Sequence, residues 1–124
     1  MAKVTVRAGA CRFTTVIEAC SEDAQHVEFD VDSECPTVAL VAEVLGTVDA
    51  YHEVGAGRDG EVLTTAVNTG RGCCPGCVVP SALLSVMRVA VGLAIAADSH
   101  IEFSDTSGAE TSPEPLEESG EKAG

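Results

Sequence analysis

Tryptophan is absent from this chain, and aromatic residues make up only 3% of its 124 positions. Its hydrophobic fraction of 45% is that of an ordinary soluble globular protein, but it is supplied by Val, Ala and Leu. Positive charge is also scarce: seven Lys and Arg stand against twenty Asp and Glu, a net of −13. A surface so acidic repels phosphate backbones, which argues against nucleic acid as a partner. The plain reading of the excess is a solvated acidic surface, with a cationic partner or a high-salt cytoplasm as the other readings. Long apolar runs are missing too. The nearest to one, Val78–Ala97, is interrupted by Pro80, Ser81, Ser85 and Arg88, so no membrane span is expected. Met1–Arg7 is too short and interrupted for the apolar core of a signal peptide, and a cytoplasmic location is expected. There is no phosphate loop, no Gly-x-Ser-x-Gly, no His-Glu-x-x-His and no internal repeat.

What the chain does have is six cysteines. Three crowd into one turn, Gly72-Cys73-Cys74-Pro75-Gly76-Cys77, and the others are Cys11, Cys20 and Cys35. In a reducing compartment so many thiols point to metal binding or catalysis rather than structural disulfides. Cys74-Pro75-Gly76-Cys77 is a Cys-x-x-Cys, which serves zinc sites, cluster sites and redox motifs alike. No second Cys-x-x-Cys exists, so a zinc ribbon is not supported. A thioredoxin-like motif would follow a strand, whereas Asn68–Gly72 reads as loop.

The hydrophobic pattern places these thiols on a fold. Val4–Arg7, Thr14–Cys20 and His26–Asp32 alternate or are β-branched, and together they read as a three-stranded antiparallel meander. In the third, Val27, Phe29 and Val31 share one face, and Asp30 and Asp32 fall on the solvent side. Ser33 is a candidate N-cap and Pro36 suits a first helical turn; Val38, Leu40, Val41, Val44 and Leu45 follow at helical spacing until Gly46. A short helical piece is expected near Val48–Val54, and Glu61–Val67 reads as helix or strand. Pro80 opens a second clear helix, Ser81–Ala97, whose apolar residues nearly encircle it and mark it as a central buried helix. His100–Phe103 alternates again and is a candidate fourth, C-terminal strand. Strands before helices imply an α+β class, with two or three helices on one face of a small sheet. Residues 1–104 form a single domain in this reading. From Asp105 onward six acidic residues stand against one Lys with no hydrophobic period, so 105–124 is expected to be a disordered acidic tail.

On this frame Cys11 follows the first strand, Cys35 opens the first helix, and Cys73, Cys74 and Cys77 precede the last. If both helices direct their N-termini to one end of the sheet, three segments bring thiols there. Helix N-termini carry free N–H groups and partial positive charge, which favour thiolates and anionic metal sites. Several of the cysteines could equally be small buried hydrophobes, Cys20 above all. His26, His52 and His100 read as surface histidines rather than ligands.

This order resembles the IscU/NifU-type iron–sulfur scaffold fold and the cysteine-containing C-terminal domain of some ribonucleotide reductases. The resemblance is carried by Gly9-Ala10-Cys11, by Asp32-Ser33-Glu34-Cys35 and by Cys74-Pro75-Gly76-Cys77 before the last long helix. The chain is also similar to small uncharacterised prokaryotic proteins sharing Cys-x-Phe-Thr-Thr, Ser-x-Cys-Pro and Cys-x-Val-Pro. The resemblance implies an iron–sulfur cluster held by Cys11, Cys35, Cys74 and Cys77, with Cys73 as an alternative ligand. It also implies a protein partner that donates or accepts the cluster, and it is compatible with a homodimer. Two departures stand out. Phe13 occupies the place of the scaffold's cluster-labilising Asp, and no His adjoins the third cysteine position. The first favours stable holding over transfer; in place of the His, Cys73 and Cys74 stand nearby. A thiol enzyme or sulfur carrier using Cys77 or Cys35, and an interaction module with structural zinc, are the competing expectations; no residue is assigned a catalytic role.

Overall fold

The computed structural model describes residues 1–9, 11–70, 72–74 and 76–104, so the expected acidic tail, 105–124, lies outside the described residues. The first three strands are β1 (Ala2–Arg7), β2 (Thr14–Cys20) and β3 (His26–Ser33), each antiparallel to the next. Alternation does what the sequence implies. Val6, Thr15, Ile17, Ala19 and Val27 point into the protein, while Lys3, Thr5, Arg7, Glu28, Asp30 and Asp32 are exposed. A fourth, two-residue strand, β4 (Val48–Asp49), pairs with His26 and Val27, and the sheet order is β1-β2-β3-β4. The class is α+β, as expected, but the fourth strand is not the C-terminal one. Residues 95–104 belong to no helix or strand, and Ile101 and Phe103 stand in solvent.

Four helices cover the sheet. α1 (Pro36–Leu45) buries Val38, Val41 and Leu45, one stripe at helical spacing, and lies along β3. It begins one residue after Cys35, which is itself the N-cap residue; Ser33 acts instead through its hydroxyl, which accepts the Cys35 N–H at 3.1 Å. α2 (Ala50–Ala56) starts where Asp49 caps it, accepting from the N–H groups of Tyr51 and His52. A 3-10 turn over Gly57–Asp59 leads to α3 (Glu61–Asn68), which resolves the ambiguous Glu61–Val67 segment as helix. α4 (Val79–Ala90) packs on β1 and β2, and α3 packs on both α1 and α4. Among the described residues no helix is long and apolar enough to cross a membrane.

α4 departs from the sequence expectation in length and environment. It ends seven residues early, because Gly92 adopts a left-handed conformation (φ 82°) and Leu93 N–H bonds back to the Arg88 carbonyl at 2.8 Å, closing a Schellman-type stop. Nor is it encircled by protein. Val79, Leu83, Val86 and Met87 are buried on one side, while Ser81, Ser85 and Arg88 are exposed. It is an amphipathic layer helix, not a central one.

Two polar arrangements fix the connections. Between β2 and β3, Asp23 accepts from the N–H groups of Gln25 and His26 and pairs with His26 Nδ1 at 2.8 Å. The bond raises the imidazole above its ordinary 6.5 and holds the Asp23 carboxyl well below the usual carboxylate range. Deeper in the protein, Glu53 on α2 is only 2% exposed, yet both of its oxygens are satisfied. Oε2 accepts Glu61 N–H at 2.8 Å and Oε1 accepts Val62 N–H at 2.7 Å, so the carboxylate caps the buried start of α3. Gly60 is needed beside it, since a Cβ there would lie 2.9 Å from Glu53 Oε1. Glu53→Ala leaves two buried N–H groups without partners and a hole between α2 and α3. It is expected to lower stability by about 2 to 4 kcal/mol, read as a reduced urea midpoint at unchanged slope.

Candidate metal centre

The junction of β3 and α1 sets the position of the first thiol. Thr15 and Ser33 face each other across β2 and β3, and their hydroxyls are 2.7 Å apart. The same Ser33 hydroxyl takes the Cys35 N–H, and Glu34 clamps the start of β2 by accepting the Thr14 N–H at 2.9 Å. Cys35 is thereby held between the end of a central strand and the first turn of α1, in extended backbone, with no hydrogen bond from its side chain to the helix it caps. Its thiol is free and half-buried, and the residue packs against the main core.

The second group comes from the segment between α3 and α4. After Asn68 the chain doubles back: Gly72 N–H bonds to the Thr69 carbonyl and Cys73 N–H to the Ala66 carbonyl, both at 2.8 Å. Gly72 has φ 78° and runs so close to α3 that a Cβ would overlap the Val67 carbonyl oxygen, so no other residue fits without moving the turn. Cys77 N–H then bonds to the Cys74 carbonyl at 2.9 Å, a tight turn that delivers Cys77 next to Val78, the N-cap of α4. Cys77, like Cys35, is half-buried against the main core.

Burial pushes the Cys73 thiol up, and the sulfur of Cys77, through its charge and a hydrogen bond, pushes it further, with smaller contributions from Cys35 and Cys74; the result is about 11. Cys73, Cys74 and Cys77 thus share the segment before α4, and Cys35 at the start of α1 has only a small effect on Cys73. Cys11 sits in the exposed turn between β1 and β2, at the same end of the sheet, but no described contact joins it to the others. Cys20 lies at the opposite end of β2, half-exposed on the uncovered sheet face and paired in register with Glu28, rather than buried as a small hydrophobe. All six thiols are free. Among the described residues no three His, Cys, Asp or Glu side chains stand close enough together to hold a metal ion as they are. The donor set is soft and mutually repelling when ionised, which suits a thiophilic metal. Arg71 and Pro75 fall outside the described residues.

A family model described as a family of unknown function, DUF6951, matches residues 2–103. The chain belongs to DUF6951. No curated protein and no solved structure matches it. The region matched in this DUF6951 chain takes in the whole sheet, all four helices and all six cysteines. Sequence reasoning left open which of Cys73 and Cys74 is a ligand; Cys73 is the less exposed of the two and is raised by burial and by Cys77. It also missed the Thr15–Ser33 hydroxyl pair beneath the site, for which the facing positions of two hydroxyl residues in the hairpin register were the available signal.

In the metal-free chain Cys73 is protonated at neutral pH. Its alkylation by iodoacetamide should be slow at pH 7 and rise toward half-maximal near about pH 11, displaced from the ordinary 9.0. Peptide mapping by mass spectrometry after timed labelling at a series of pH values checks this. Half-maximal labelling at or below 9.0 would show that burial and the neighbouring sulfurs do not act on this thiol as described.

Proposed function

We propose that this DUF6951 chain binds an iron–sulfur cluster through Cys35, Cys73 and Cys77, with Cys74 or Cys11 completing the thiolate set, and acts as a cluster carrier or scaffold. What supports the reading is that thiols from two separate segments stand at the starts of α1 and α4, both packed on one sheet. Burial and the sulfur of Cys77 make Cys73 costly to ionise. A bound cation removes that penalty and displaces the thiol protons, so affinity should rise with pH. Free N–H groups and partial positive charge at the two helix starts offset the residual negative charge of a thiolate-ligated cluster. The cluster would supply electron-transfer or sulfur-donation chemistry; the protein's part is to hold it, half-shielded, at one end of the domain. The order of the thiols along the chain, which resembles that of iron–sulfur scaffolds, supports the same reading. It also supports a protein partner that gives or takes the cluster.

The activated-thiol alternative would use Cys77 or Cys35; burial shifts Cys73 away from the thiolate, so Cys73 is not that nucleophile. Structural zinc uses the same residues and differs in being colourless.

Reconstitution of the full chain with iron and sulfide under anaerobic conditions is expected to give a brown protein with visible absorption and bound iron and sulfide. Cys35→Ala and Cys77→Ala should bleach it, and Cys20→Ala should leave the spectrum unchanged. A colourless product that takes up zinc and loses its fold on chelation would replace the cluster with a structural metal. A colourless product that binds neither metal would overturn the proposal.

A further inference from the structure

Two features of the fold remain unpartnered, and they match one another. The first is the outer edge of β1. With the order β1-β2-β3-β4, β1 pairs with β2 on one side, and among the described residues nothing pairs with the other. Its backbone donors and acceptors there form an open template for another strand. On the uncovered sheet face β1 presents Lys3, Thr5 and Arg7, all exposed, and these two cations are a large share of the seven in the chain. On the helix side Ala2 and Val4 are only half-buried, as apolar residues are when the neighbouring strand is missing. Edge charges by themselves also serve to repel stray strands, so the edge alone indicates no partner.

The second feature supplies one. His100-Ile101-Glu102-Phe103 alternates with the two-residue period of a half-buried strand, yet it belongs to no sheet. Ile101 is 76% exposed and Phe103 97%, the most exposed large apolar residue described. Their alternates include Glu102, and Asp98 precedes them, so the segment carries acid where β1 carries base. A strand laid on β1 with Ile101 and Phe103 toward the helix layer would cover the half-open Ala2 and Val4. It would set Glu102 against the Lys3 and Arg7 side of the sheet, and opposite charges on adjacent strands attract.

We propose that the segment His100–Ser104 of one copy adds as a fifth strand to the outer edge of β1 in a second copy, joining two chains into a strand-exchanged dimer. Each copy gives one strand and receives one, so the exchange closes on itself at two chains. Four backbone and side-chain requirements meet in the pairing: an unpaired edge, an unpaired alternating segment, matching apolar faces and opposite charge. The inference is independent of the thiol site, which lies on α1 and the α3–α4 turn.

Light scattering coupled to size-exclusion chromatography of the full chain, over a concentration series, tests it. The wild-type chain is expected at the mass of a dimer. Ile101→Asp with Phe103→Asp should run as a monomer; both side chains are exposed, so the fold should persist, as unchanged far-ultraviolet circular dichroism would verify. Lys3→Glu with Arg7→Glu should weaken the dimer at least about tenfold by turning attractive pairs into repulsive ones. A monomeric wild-type chain would overturn the proposal, including one whose 100–104 amides are protected from exchange because the segment folds onto its own β1. So would a dimer whose mass is untouched by Ile101→Asp with Phe103→Asp.

Discussion

Two amphipathic helices that must bury their apolar faces against one small sheet set the positions of the thiols. α1 hides Val38, Val41 and Leu45 over β3, and α4 hides Val79, Leu83, Val86 and Met87 over β1 and β2. Each helix starts immediately after a cysteine-bearing approach, and with α1 on β3, α4 on β1 and β2, and α3 packed against both, Cys35 and Cys77 each stand at a helix start. The smaller devices refine this. The Thr15–Ser33–Cys35 hydrogen bonds hold the start of α1, and Gly72 lets the α3–α4 turn press against α3 so that Cys73 reaches its neighbours. Removing the apolar faces would scatter the thiols, whereas removing a thiol would leave the layers intact.

Charge works on a longer scale. The chain is strongly acidic, and its solvent-facing strand residues, Glu28, Asp30 and Asp32, make the open sheet face negative along β3. Cations are confined to a few places, among them the outer strand β1. The protein thus has polarity across its sheet, basic at β1 and acidic at β3, on a background that repels other acidic surfaces. In such a chain any association must rest on local complementarity. The thiol end is built differently, from half-buried sulfur and helix termini, and its fields are short-ranged.

How much was legible from sequence follows from how local each signal was. β1 and β3 were read from alternation because each has a buried face and a wetter one, and Val27, Phe29 and Val31 against Asp30 and Asp32 left no ambiguity; β2, whose second face is half-buried, was read from its β-branched residues. Pro36 and the spacing of Val38, Val41 and Leu45 marked α1 almost to the residue. α4 was overextended because apolar residues continue past Ala90, and the stop depends on the left-handed Gly92, a single-residue signal within a hydrophobic run. β4 escaped because two residues carry no period, and Val48 is a strand residue only by pairing with Val27. Glu53 could not have been identified as buried, since its partners are backbone N–H groups eight and nine residues away. His100–Phe103 has a strand's pattern without a strand's partner. At the site, the strand and helix patterns placed Cys35 and Cys77 just before helix starts, where the structure has them, but Cys73 and Cys74 sit in a turn without periodicity, and sequence could not rank them.

The central claim, that Cys35 and Cys77 from two helix starts serve one metal site, is tested most directly by a thiol footprint. Alkylation of the anaerobically reconstituted full chain, compared with the metal-free chain by peptide mass spectrometry, reads each cysteine separately. The account predicts that Cys35 and Cys77 become protected together, in proportion to bound metal, while Cys20 at the far end of β2 reacts as before. Independent or absent protection of Cys35 and Cys77, or protection centred on Cys20, would contradict it.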